Sequence, residues 1–304
     1  MNNKRINLPE GRLSAGHYLP IEKYRSMDEC VKYGNVEIHL PDENLASFSI
    51  FQDLTKLFGV DFQSEAIALL KSELKSHTDL KPKPCIDFES DYADITSRSA
   101  NTIFLVAGII NELVQQEEKI EVSDTARQEV LKRLKEWKRP RPGKWNVGDV
   151  FSLKLKDSTF MFGQIIGTHL TPKSPTCAIF EIRQSTEAVS FDELKGSRVI
   201  SVQNTSGECL NDKTFKVLFN AELLADIKQA NKSKSTGDGN LLCLCNAYYG
   251  LEPWNVMYKD TYYDEMLLKG VERPQRVILL DKDARNKYRL EHFGIDVNNN
   301  YVNK

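Results

Sequence analysis

Trp145-Asn146-Val147-Gly148-Asp149-Val150-Phe151 is the stretch on which the reading of this chain turns. Before it, apolar residues recur mainly at helical spacing. After it they alternate: Phe151, Leu153 and Leu155 are separated by Ser152, Lys154 and Lys156. That is the pattern of a strand with one buried and one wet face. Gly148 and Asp149 read as the turn that starts this strand.

Working downstream, Asp157-Ser158 is a turn, and residues 160–166 form a second strand interrupted by Gly163. A glycine inside a strand marks a bulge or a close backbone approach. Residues 171–175 make a loop and 177–183 a third strand. Residues 199–202 and 215–219 continue the pattern. Short strands joined by tight turns predict a strongly curved sheet or a small barrel. The end of the chain reads as a short helix over 222–230, a polar loop over 232–239, a buried strand over 241–247, another apolar strand over 277–280 and a charged helix over 283–293.

Working upstream, Lys138-Arg139-Pro140-Arg141-Pro142-Gly143-Lys144 has no apolar residue to bury and two prolines to stop a helix. It reads as a solvated linker. Before it, Val36-Glu37-Ile38-His39-Leu40 alternates as a strand does. Phe48, Phe51, Leu54 and Phe58 fall on one helical face, and after Gly59 so do Ala66, Ile67, Leu70 and Leu74. Residues 85–89 suit a strand, with 93–96 as its hairpin partner. Asn101 is placed to cap a helix whose apolar stripe is Ile103, Val106, Ala107, Ile110 and Leu113. A further helix starts near Ser123 or Thr125, with Thr125 and Gln128 at capping-box spacing and Val130, Leu134 and Trp137 on its inner face.

The expected fold class is therefore α+β. Residues 1–34 form an irregular arm, 35–138 a small α+β domain with a short sheet and helices on one side, 139–144 a basic, proline-rich linker, 145–295 a mostly β domain and 296–304 a disordered tail.

The chain has 304 residues, enough for two domains, with 41 basic against 43 acidic residues. That balance argues against a dedicated nucleic-acid binder, which needs a basic surface. No apolar run is long enough to span a membrane, and the polar sequence after Met1 shows no secretory signal. The six cysteines lack zinc spacing, and Cys243-Leu244-Cys245 would put two thiols on one face of a strand. They read as reduced, buried thiols of a cytoplasmic protein.

No hydrolase elbow, phosphate-binding loop or zinc-protease helix is present, so no catalytic residue and no cofactor or metal is expected. His169 is the histidine placed nearest a loop. Two segments have the character of contact sites. In an extended segment Asp87, Glu89 and Asp91 share one face, where they can steer a basic partner. Tyr248, Tyr249 and Trp254 lie together in an aromatic stretch that Tyr258, Tyr262 and Tyr263 extend, and such residues are enriched at binding hot spots.

The stretch from Trp145 to Phe151, the turn at Asp157 and the run Phe160, Phe162-Gly163-Gln164-Ile165 resemble the opening of the immunity protein 26 family. The resemblance covers roughly residues 143–285. It implies a mostly β protein of a bacterial polymorphic toxin system, which binds and neutralises a cognate toxin in the producing cell. A basic toxin, a nuclease for example, is the complement of the acidic residues. Some members carry a phosphotriesterase label, which would assign hydrolysis to the acidic cluster with His169. A third reading, a nucleic-acid adaptor, would use the linker and a small barrel.

Overall fold

The computed structural model describes residues 30–77, 81–230, 235–257 and 259–293. The chain divides into two units, one ending at Lys144 and the other beginning at Trp145. The expected arm up to residue 29, the expected tail 296–304, part of the loop at 232–239 and Tyr258 lie outside the described residues.

In the first unit, β1 (Cys30–Tyr33) and β2 (Val36–His39) form a hairpin. Gly34, at φ +59°, sits at its turn. The following elements are β3 (Phe48–Gln52), α1 (Thr55–Phe58), α2 (Gln63–Ser76), β4 (Cys85–Phe88), β5 (Ala93–Ser97), α3 (Ala100–Leu113) and α4 (Asp124–Glu136). The antiparallel sheet runs β1-β2-β3-β5-β4. Val31, Ile38, Ile50 and Ile95 of its inner face pack in one core with Ile103, Val106, Ala107 and Ile110 of α3. Asn111 ties helix to hairpin: its Nδ2 donates to the Tyr33 carbonyl at 2.7 Å, and its Oδ1 accepts from the Asn35 N–H at 2.7 Å.

Several expectations are corrected in this unit. Residues 30–33, assigned to the arm, form β1. Phe48 and Phe51 belong to a strand rather than a helix. At strand period Phe48 and Ile50 go inward, whereas Phe51 is 44% exposed. One helix cap moves by two residues, and of the two starts offered for the later helix the first is the cap. Ser99, not Asn101, accepts from the Thr102 N–H at 3.3 Å, and Ser123 accepts from the Ala126 N–H at 3.2 Å. Arg139 lies against its own unit, donating to the carbonyls of Asp42 at 2.6 Å and Glu43 at 2.8 Å.

The second unit is built on β6 (Asp149–Lys154), β7 (Phe160–Thr168), β8 (Pro175–Gln184), β9 (Val199–Asn204) and β10 (Phe215–Asn220). They pair antiparallel in the order β10-β6-β7-β8-β9. This pairing has two ends, and among the described residues it does not close into a barrel. The helices are α5 (Phe191–Lys195), α6 (Glu208–Asn211), α7 (Asp238–Tyr248), α8 (Tyr262–Met266) and α9 (Lys282–Phe293).

The wet face expected for β6 is also absent. Phe151, Leu153 and Ile165 pack with α7 and α8 on one face of the sheet. Val150, Phe162 and Phe180 pack with Leu194 and Ala230 on the other. Ser152 is consequently buried and donates to Glu187 Oε1 at 2.9 Å. Gln164, fully buried, pins residues 222–224 across this second face. Its Nε2 donates to the Glu222 carbonyl at 2.8 Å, and its Oε1 accepts from the Leu224 N–H at 2.9 Å.

Two expected strands are not strands. Residues 241–247 lie in α7, where nearly every side chain is buried. Residues 277–280 form only a single bridge, between Ile278 and Pro253. The expected helix at 222–230 shrinks to a 3-10 turn at Ile227–Gln229.

Gly163 shows the close approach that its place in a strand predicts. It pairs with Phe151 of β6, and a Cβ there would lie 2.4 Å from Phe151 Cζ and 2.9 Å from the Ala178 carbonyl oxygen. Gly163→Ala is expected to destabilise the protein by about 1–3 kcal/mol through overpacking. Urea unfolding should show a lower midpoint with an unchanged slope.

Candidate partner-binding surface

The aromatic stretch divides sharply by burial. Trp254 is 1% exposed, with its Nε1 donating to Asp264 Oδ1 at 3.1 Å and its ring edge-on to Tyr263. Tyr248 is fully buried at the end of α7, and its hydroxyl donates to Glu181 Oε1 at 2.7 Å. Both rings are core, because each polar tip finds a carboxylate and the ring can then be covered. Both are expected from the sequence to anchor a contact, and in this fold both rings are covered by the chain itself. Tyr249, the next residue, is only partly buried.

Around Tyr249 the fold assembles charged groups from distant segments. The Arg276 guanidinium lies 4.3 Å from its ring centroid and the Arg183 guanidinium 5.0 Å. Arg276 donates through Nε to the Tyr248 carbonyl at 2.9 Å. Arg183 donates to Thr159 Oγ1 at 2.8 Å and is ion-paired to Asp157. Arg198 reaches Glu181 Oε2 through Nε at 2.9 Å and Nη2 at 2.7 Å. The sequence offered no signal for this cluster, since its arginines come from β8, the residue before β9 and a late loop.

Burial raises the pKa of both tyrosines, to about 12 each. Burial also pushes the Glu181 carboxyl up. The hydrogen bonds from Tyr248 and Arg198 and the charges of Arg198 and Arg276 outweigh it, so the group sits below the ordinary glutamate range. Asp238 behaves oppositely. Burial lifts its carboxyl, and the donors Cys209 N–H at 2.7 Å, Thr205 and Gly207 N–H at 3.3 Å do not fully offset that.

The acidic residues lie in the first unit. β4 ends at Phe88, so strand alternation does not extend to Asp91, which stands in the turn closed by the Glu89 N–H to Tyr92 carbonyl bond of 2.9 Å. Asp87, Glu89 and Asp91 are all exposed. Asp87 lies opposite Asp94 of β5, which lies opposite Phe51 of β3. Phe51 in turn packs on Tyr92 at 4.2 Å between centroids.

His169 belongs to the second unit. It lines a cleft of about 450 Å³ with Thr168, Thr176, Asn204, Ile227, Lys228 and Ala230. Asp87, Glu89 and Asp91 are not among the residues of that cleft. Cys243 and Cys245 are helical, so their two-residue spacing does not put them on one face. Among the described residues no three His, Cys, Asp or Glu side chains form a metal-ligand group, and no helix is long and apolar enough to cross a membrane.

A family model described as immunity protein 26 matches residues 146–238, less than half of the chain. The resemblance carried by the Trp145–Phe151 stretch is thus met, over a shorter span than expected. The match includes Glu181, Arg183 and Arg198 and ends before Tyr248, Tyr249 and Arg276. No curated protein and no solved structure matches the chain.

Because the folded-state pKa of Glu181 is lowered, its contribution to stability is present above the ordinary glutamate pKa. It is lost as pH falls through the lowered value. Glu181→Gln is expected to melt below wild type near neutral pH and to converge with it in acid. Thermal melts across a pH series measure this; a gap that stays constant at every pH would contradict the charge network.

Proposed function

We propose that this protein is an immunity protein that neutralises a cognate toxin domain by binding it. The observation that carries this reading is the match of residues 146–238 to the immunity protein 26 model. The matched residues that defined the resemblance act as scaffold. Gly148 and Asp149 form a turn, Gln164 holds a loop and Gly163 makes room for Phe151. None of these scaffold residues is a nucleophile held by a base, and a binding role asks for none.

An inhibitor of this kind buries roughly 1,200–2,000 Å² in total. On this reading the half-buried Tyr249, framed by arginines, replaces Tyr248 and Trp254 as the aromatic contact. Asp87, Glu89 and Asp91 would face basic groups of the toxin.

The test asks whether the adjoining gene encodes a large secreted protein with a C-terminal toxin domain, and co-expresses that domain with this chain; a neighbour of another kind counts against the reading. Wild type is expected to protect the cells and to co-elute with that domain from a sizing column. Absence of both effects would remove the immunity reading. Turnover of a phosphotriester by the purified protein would favour the hydrolase instead.

A further inference from the structure

We infer that the corner formed by Arg276, Tyr249 and Arg183 is a carboxylate-docking site, and that the toxin presents Asp or Glu side chains to it. The second half rests on the immunity reading; the first does not.

The charges at this corner do not balance. Arg183 is neutralised by Asp157, and Arg198 holds Glu181 through two nitrogens. Glu181 also accepts from the Tyr248 hydroxyl. Arg276 is left with a long contact of 3.8 Å to the same carboxylate. Among the described residues, three guanidiniums thus meet two carboxylates at this corner, and Arg276 carries the surplus charge. Its side chain is 45% exposed.

Arg276 is also held in place. Its Nε is spent on the Tyr248 carbonyl, and its guanidinium lies over Tyr249 and, at 5.1 Å, over Tyr248. Its backbone carbonyl abuts Gly250, where φ is +70° and a Cβ would sit 2.6 Å from that oxygen. A long side chain fixed in this way loses little further freedom on binding. With Nε occupied and Nη2 held only by the 3.8 Å contact to Glu181 Oε1, the Nη edge is the part of the fork that can meet the two oxygens of a second carboxylate.

A protein carboxylate fits better than a nucleic acid. Two guanidiniums already lie 4.3 Å and 5.0 Å from the Tyr249 ring centroid, and a base stacking there would have to compete with them. The chain's net charge of −2 also gives no general attraction for a phosphate polymer.

The test titrates the full ¹⁵N-labelled chain with a blocked hexaglutamate peptide, following arginine Nε–Hε signals. Hexalysine, inorganic phosphate and single-stranded decathymidylate are run alongside. Hexaglutamate is expected to shift the Arg276 signal, and Arg276→Gln to weaken binding by about tenfold, as loss of one charged hydrogen-bonding group does. Arg276→Lys, which keeps the charge but not the fork, should fall between them. Unchanged melting of the variants establishes that the fold is intact.

Three results would overturn the site: no shift with hexaglutamate, equal binding by Arg276→Gln, or tighter binding of phosphate or decathymidylate at Arg276. A parallel arm uses a toxin domain encoded by the adjoining gene, where the co-expression test has found one. If wild type neutralises it and Arg276→Gln binds it equally well, the toxin half of the inference fails while the immunity reading stands. If wild type does not neutralise it, the immunity reading fails, and the peptide titration still decides the site.

Discussion

Three chain segments are tied together at Gly148. Its N–H donates to the Ile165 carbonyl at 2.7 Å, and its own carbonyl accepts from the Ala221 N–H at 3.0 Å. Its φ of +96° is open to glycine and strained for other residues, and a Cβ would sit 2.8 Å from the Ala221 oxygen. Asp149 braces the same turn, accepting from the Asn146 N–H at 2.7 Å and from Asn220 Nδ2 at 2.8 Å. This turn sets β6 between β7 and β10. Since the sheet is covered on both faces, the register of β6 decides which side chains enter each of the two cores.

The parts of the fold legible in the sequence are those where a period survives. β5 alternates in burial, β6 alternates in side-chain polarity although both of its faces are covered, and α2, α3 and α4 each carry an apolar stripe. Legibility fails where burial is nearly complete. Leu241-Leu242-Cys243-Leu244-Cys245 has no polar face because α7 is covered almost all round, so the run reads equally well as a strand. The opposite error occurs at Phe48, Phe51, Leu54 and Phe58. Their helical spacing combines a strand, a link and one helical turn, and Gly59 at φ +66° ends that turn.

The candidate site was legible only in its aromatic half. Composition cannot tell a ring that anchors a partner from a ring that fills a core, since both are Tyr or Trp with a polar tip. The tip decides. Tyr248 and Trp254 reach Glu181 and Asp264, and these partners permit full burial. The arginines were not legible, because Arg183, Arg198 and Arg276 become neighbours only through the sheet order and the return of the late loop. No local spacing encodes that meeting. The acidic residues were found because β4 is extended, but the turn after Phe88 takes Asp91 out of the alternation.

The corner at Tyr249 is divided between the matched and unmatched parts of the chain. Residues 146–238 contribute Glu181, Arg183 and Arg198, while Tyr249 and Arg276 come later. The later residues depend on the earlier ones. Glu181 holds Tyr248, and Tyr248 offers the carbonyl that fixes Arg276. One surplus charge on a chain of net charge −2 acts over only about 8–10 Å at physiological salt. Such a group cannot draw a partner from a distance. Any selectivity it provides has to come from the fixed orientation of the guanidinium, which the Tyr248 carbonyl and the rings of Tyr248 and Tyr249 supply.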